Sequence, residues 1–196
     1  MIGCFNRSVL LTYGGVVCSL FGIWNLLDGT TDRNVEIAMV CLILAGICDL
    51  FDGVIARKCK RNETQKQFGA EIDSLADVIS FLVFPAVLLY TVCRERPGVV
   101  LPMAAFYVLC GVDRLAWFNM TPPAADRSFR GVPVTYAALV IPCLYVLSPR
   151  PDILFPAAYW LLGVLFVLDV RVPKPKGTAY LLFAVLAVVV IFLLLR

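Results

Sequence analysis

Apolar residues run along this chain in long blocks separated by short polar links. The first block, residues 8–27 (SVLLTYGGVVCSLFGIWNLL), is long enough to span a bilayer, and its Gly14, Gly15, Ser19 and Gly22 suggest a close-packed helix face. After the link DGTTDRN a second block covers about 35–56. A third covers about 68–92, with Pro85 as a possible kink that neighbouring helices can tolerate. The segment between them, 57–67, holds Arg57, Lys58, Lys60, Arg61 and Lys66 against Glu63 and reads as a basic loop. Further blocks fall at about 99–118, 134–147, 153–170 and 178–195. This pattern predicts an all-α, polytopic membrane bundle of about seven spans, with six to eight possible because the fifth block is short.

Composition sharpens that reading. The chain has 196 residues, 61% of them hydrophobic and 16% charged, where a soluble domain carries about 25% charge. No polar stretch exceeds about a dozen residues, so a separate soluble domain is not expected and 1–196 reads as one membrane-embedded domain. No cleavable signal peptide is expected, because the first block continues without a small-residue cleavage site. Assigning links to alternate sides puts eleven Lys and Arg on the side of the 57–67 loop and five on the other. By the positive-inside rule that loop and the N-terminus are cytoplasmic, in the cell membrane. The eight cysteines show no CxxC pattern and mostly lie in apolar blocks, as small hydrophobes. The chain lacks histidine, so a general base is expected to be a carboxylate, and a metal to be a hard one with oxygen ligands.

Candidate chemistry concentrates at 49–77. Asp49 and Asp52 are three apart, Asp73 and Asp77 four apart, and on helices each spacing stacks its pair on one face. If the two blocks form a helical hairpin, all four carboxylates meet near one membrane surface. Uncompensated, they would repel strongly in a low dielectric, and divalent metal is the simplest remedy. Gly53 lets a ligand approach the backbone, and Arg57, four residues on, can meet a phosphate. Gly69, Asp73 and Asp77 form a stripe at i, i+4, i+8. The set suits a Mg²⁺- or Mn²⁺-dependent handler of diphosphate.

The string Asp49-x-x-Asp52-Gly53-x-x-Ala56-Arg57, then Gly69-x-x-x-Asp73-x-x-x-Asp77, resembles the signature of the CDP-alcohol phosphatidyltransferase family. All eight positions are present. Eleven residues separate Arg57 from Gly69 where the family commonly has eight, and the three extra are assigned to the loop. Phe68 through Phe81 with Pro85-Ala86, Arg114-Leu115-Ala116-Trp117-Phe118-Asn119, and Phe129-x-Gly131-x-Pro133 look most like the serine-transferring branch, although Trp117 replaces a common arginine and Leu82 a frequent glycine.

The resemblance implies transfer of a phosphatidyl group from CDP-diacylglycerol to the hydroxyl of L-serine, with CMP leaving. It implies two divalent ions (Mg²⁺ or Mn²⁺) on Asp49, Asp52, Asp73 and Asp77, with Asp77 also the base, and Gly53, Ala56, Arg57 and Gly69 lining the CDP-lipid pocket. Serine's carboxylate needs a cation. Arg114 is the first candidate, with Asn119 and Arg130 behind it. Membrane lipids and a homodimer partner are implied, and no nucleic acid.

Three other readings stay open. The same transfer could go to glycerol 3-phosphate or an inositol phosphate. The carboxylates could serve an ion-coupled transporter. The chain could be a non-catalytic scaffold. Asp113-Arg114 reads equally as an internal ion pair or as part of a substrate site.

Overall fold

A computed structural model of the chain describes residues 9–29, 31–121, 128–148, 151–173 and 177–196. Each of the seven expected apolar blocks is helical in it. The first helices are α1 (Leu10–Asp28), α2 (Asp32–Lys58) and α3 (Glu63–Asp77). A π-helical turn, Val78–Val83, joins α3 without a break to α4 (Phe84–Val92), and α5 is Pro97–Met120. A 3-10 turn (Val134–Tyr136) opens α6 (Ala137–Leu147), followed by α7 (Pro151–Val167) and α8 (Gly177–Leu194).

Four rods, Leu10–Asp28, Asp32–Lys58, Glu63–Val92 and Pro97–Met120, are long and apolar enough to cross a membrane; the later helices are shorter and apolar. The chain is thus an integral membrane helical bundle. To the all-α expectation the structure adds one short antiparallel ribbon, β1 (Ser128–Arg130) with β2 (Arg171–Pro173), in which Arg130 pairs with Arg171. The expected basic residues Arg7, Arg127, Arg150, Lys174 and Lys176 lie outside the described residues.

The expected loop 57–67 is mostly helix. Only residues 59–62 separate α2 from α3. The cause is local: Asn62 accepts a hydrogen bond from the Gln65 N–H (2.8 Å), and the Gln65 side chain accepts one from the Asn62 N–H (3.1 Å), a reciprocal capping box that starts α3 five residues before the apolar block. At 1.5 Å per residue, α2 runs on about 9 Å beyond Asp52, and α3 begins about 15 Å before Asp73. The carboxylates therefore sit inside a helical hairpin rather than at its rim.

Pro85 acts one turn before itself. Lacking an N–H, it leaves the Phe81 carbonyl without its helical partner and crowds it. The backbone relaxes into the π turn, where the Phe84 N–H reaches back to Ile79 O. The buried Tyr107 hydroxyl then donates to Phe81 O (2.6 Å), and Tyr159 donates to Pro85 O (2.8 Å). These two bonds tie the rod carrying Asp73 and Asp77 to α5 and α7 and satisfy groups that lipid could not.

Helix α1 packs along α2 through the small-residue face read from the sequence. Gly15, Ser19, Gly22 and Leu26 are buried there, and a Cβ on Gly15 would stand 3.3 Å from Cys48 Cβ. Ser19 donates to Gly15 O and accepts from the Ser80 hydroxyl, both 2.9 Å, linking α1 to the π turn. In lipid such contacts, rather than a hydrophobic drive, hold helices together. Beyond α5, Gly131 has φ +75°, and its N–H bonds Val170 O (2.9 Å), while Val132 N–H bonds Leu165 O (3.2 Å). A Cβ at 131 would stand 2.5 Å from Phe166 O, so both conformation and space require glycine. This docking brings the chain after β1 against the end of α7.

Candidate functional site

The hairpin of α2 and α3 brings the four carboxylates together. Oxygens of Asp49, Asp52 and Asp73 lie within 4.8 Å of one another. Across the hairpin Asp49 faces Asp77, and Asp52 faces Asp73. Asp52 is buried, at 6% exposure. A crevice of about 10 Å³, lined by Thr12, Asp49, Asp52, Asp77 and Ser80 among others, has room for roughly one water-sized ion. Hard divalent cations take oxygen ligands at about 2.0–2.6 Å, so one ion can bridge oxygens roughly 4–5 Å apart. The all-oxygen donor set and its spacing fit Mg²⁺ or Mn²⁺.

Thr12 is part of this site, and sequence reasoning missed it. From α1 its hydroxyl donates to Asp52 Oδ2 at 2.6 Å, across 40 residues of chain. That bond occupies one carboxylate oxygen, orients the group, and leaves the other oxygen for an ion. One signal was available: Thr12 stands three residues before Gly15 on the small-residue stripe, a polar group on a packing face.

A cavity of about 280 Å³ borders the cluster at Asp52 and Asp73. Gly53, Ala56, Arg57 and Gly69, all singled out from the sequence, line it together with Val9, Thr12, Arg61 and Lys66. An Arg57 guanidinium nitrogen lies 3.7 Å from where a Gly53 Cβ would be. The glycines let cationic side chains lie close over the backbone, in a cavity whose floor is acidic. Cations facing carboxylates across an open space suit a ligand that brings phosphate and metal together.

A second cavity, about 400 Å³, is lined by Asp113, Arg114, Trp117, Gly131, Phe166, Val167, Leu168 and Asp169. Arg114 is buried at 8% exposure. Its Nε donates to Val132 O at 3.2 Å, and its guanidinium lies 5.2 Å from the Phe118 ring centroid. Asp77 is within its electrostatic range. The described residues hold ion pairs Arg33–Glu36 and Lys66–Glu63 and none between Asp113 and Arg114. Of the two readings of Asp113-Arg114, the internal ion pair is therefore set aside. Asn119 lies elsewhere: its Oδ1 accepts from Ser74 on α3 at 3.0 Å, and it does not line this cavity. The backbone of Arg130 is in β1, and its side chain lies outside the described residues.

Fold and site together define a membrane-embedded helical protein that gathers carboxylates and guanidinium groups in the manner of a metal-dependent phosphate handler. The model of the CDP-alcohol phosphatidyltransferase family matches residues 5–195, and the chain belongs to that family. It is 31% identical over 146 residues to a Methanothermobacter thermautotrophicus protein named archaetidylserine synthase, an overlap of 74% of this chain and 62% of that one. To proteins named CDP-diacylglycerol–serine O-phosphatidyltransferase it is 35% identical in Helicobacter pylori (72% of this chain, 63% of the relative) and 32% identical in Bacillus subtilis (71% and 73%). The chain thus spans about three-fifths of the length of the first two relatives.

Proposed function

We propose that this protein transfers the phosphatidyl group of CDP-diacylglycerol to the hydroxyl of L-serine, giving phosphatidylserine and CMP. The observation that carries the reading is the carboxylate cluster beside a cation-walled cavity, with a second, mixed-charge cavity around Arg114. One borders Asp52 and Asp73 and is walled by Arg57, Arg61 and Lys66. The other contains Arg114, within range of Asp77. On this reading the donor occupies the first space and the acceptor the second. The relatives' names support serine as the acceptor.

In this reading Asp49, Asp52, Asp73 and Asp77 would hold two divalent ions, Mg²⁺ or Mn²⁺. Ions bound there would neutralise the donor's diphosphate and stabilise charge on the attacking and leaving oxygens. Arg57 meets a donor phosphate, while Gly53, Ala56 and Gly69 keep the backbone open to it. The serine hydroxyl attacks the phosphorus that bears the lipid. The new O–P bond forms as the P–O bond to CMP breaks, and Asp77 takes the hydroxyl proton. Without histidine, a carboxylate is the residue of suitable basicity. Most of the acceleration comes from placing the hydroxyl in line and from the charges already in position.

The second cavity suits a zwitterion. Its described charged side chains are Arg114, Asp113 and Asp169. Arg114 takes the serine carboxylate, and Asp113 favours the ammonium. Asn119 is bonded by Ser74 on α3 and does not line this cavity. Arg130 remains a candidate through its place one residue before Gly131. The positive-inside count puts the site on the cytoplasmic face of the cell membrane. The family resemblance implies a homodimer, checked by the molar mass of the detergent-solubilised protein.

The test is CMP release by purified protein from CDP-diacylglycerol with Mn²⁺ or Mg²⁺, comparing L-serine with glycerol 3-phosphate and inositol phosphate. Serine-dependent release is expected. Release with another acceptor alone would discard serine, and none with any acceptor from metal-loaded, folded protein would return the transporter reading.

A further inference from the structure

Arg61 stands outside the eight-residue signature, in the short connection between α2 and α3. Its surroundings nonetheless match those of Arg57. Each guanidinium lies over a glycine: an Arg57 nitrogen 3.7 Å from the place of a Gly53 Cβ, and an Arg61 nitrogen 3.3 Å from the place of a Gly69 Cβ. Those glycines sit on opposite helices of the hairpin, and both arginines line the 280 Å³ cavity beside Asp52 and Asp73. The Arg61 Nε is buried and has no hydrogen-bond partner among the described residues.

A buried, unpartnered donor on a charged group is costly and normally marks a missing ligand. The neighbouring groups do not supply one. Glu63 is engaged by Lys66 at 2.7 Å, and the Asn62 Oδ1 accepts the Gln65 N–H. A guanidinium presents its donors in a planar fork suited to two phosphate oxygens.

We propose that Arg61 is a second guanidinium for the donor, taking phosphate oxygens of the nucleoside diphosphate from the α3 side of the cavity while Arg57 takes them from the α2 side. The ligand class is a nucleotide diphosphate, free or lipid-linked. In this view Gly69 is glycine because a Cβ there would press on Arg61. The inference rests on the donor reading above, and Arg61 touches the donor itself, so its loss falls on donor binding.

The test is calorimetric binding of CDP and of CMP, with Mn²⁺ present, to the full-length protein in detergent, for wild type, Arg61→Ala and Arg61→Lys. Thermal stability of each is measured without ligand. Expected are CDP binding about 10–100-fold weaker in Arg61→Ala, unchanged ligand-free stability, and partial recovery in Arg61→Lys, which keeps the charge without the fork. CDP binding in Arg61→Ala equal to wild type would overturn the proposal. So would a loss matched by lower ligand-free stability and not relieved by lysine, which would make Arg61 structural. A wild-type protein that binds neither nucleotide would overturn the donor reading, and this inference with it.

Discussion

The Thr12–Asp52 contact offers the sharpest test of how the carboxylate cluster is held. Thr12→Val keeps the shape of the side chain and removes the hydroxyl that donates to Asp52 Oδ2 at 2.6 Å. A hydrogen bond to a charged group contributes about 1.5–3 kcal/mol net. With tenfold for every ~1.4 kcal/mol, its loss is expected to raise the half-saturating Mn²⁺ concentration about 10–100-fold, the range usual for partners that orient a ligating carboxylate. Overall stability should change far less, since side-chain hydrogen bonds within membrane bundles average about 0.6 kcal/mol. The assay is CMP release against Mn²⁺ concentration, with free Mn²⁺ followed by electron paramagnetic resonance as a direct measure of binding. Thr12→Ser, which retains the donor, should stay near wild type. If Thr12→Val and Thr12→Ser bind Mn²⁺ equally, the bond does not orient Asp52 and the reasoning fails.

Three other outcomes are expected. Asp77→Asn should lower turnover about 10²–10⁴-fold, the usual contribution of a positioned base, while still binding CDP-diacylglycerol; unchanged turnover would remove Asp77 from the base role. Arg114→Ala should raise the KM for serine about 10–100-fold, by loss of a charge-assisted bond, with the KM for CDP-diacylglycerol little changed; equal effects on both would separate Arg114 from the acceptor. Tyr107→Phe should leave Phe81 O unpartnered in the π turn and destabilise the protein by about 1–3 kcal/mol, read as a lower unfolding midpoint in detergent; no shift would mean the carbonyl finds another donor.

Much of the site could be read from residues close together in the chain. Asp49 with Asp52, Asp73 with Asp77, and the glycines beside them are three or four apart, and helix geometry alone puts such neighbours on one face. The start of α3 was legible too, because a capping box is a local pattern, yet the charge of 57–67 suggested a loop, and the Asn62–Gln65 pair decides otherwise. Arg61 looked like any other cation of a basic segment. The hairpin sets it apart by carrying its guanidinium over Gly69.

By itself, then, the sequence determined that this is a membrane bundle, that its carboxylates stack in pairs on one face of each helix, and that the metal they suit is a hard one. Those properties follow from composition, block length and spacings of one helical turn. The tertiary structure alone decided which distant groups complete the site. Thr12 reaches Asp52 across 40 residues, Tyr107 reaches Phe81 across 26, and Arg114 reaches Val132 across 18. Such contacts depend on how helices cross and on which small residues let them approach, so no local periodicity encodes them. The cation-walled cavity and the mixed-charge one arise the same way. Each is a space left between helices, and its walls come from segments that meet only when the bundle packs.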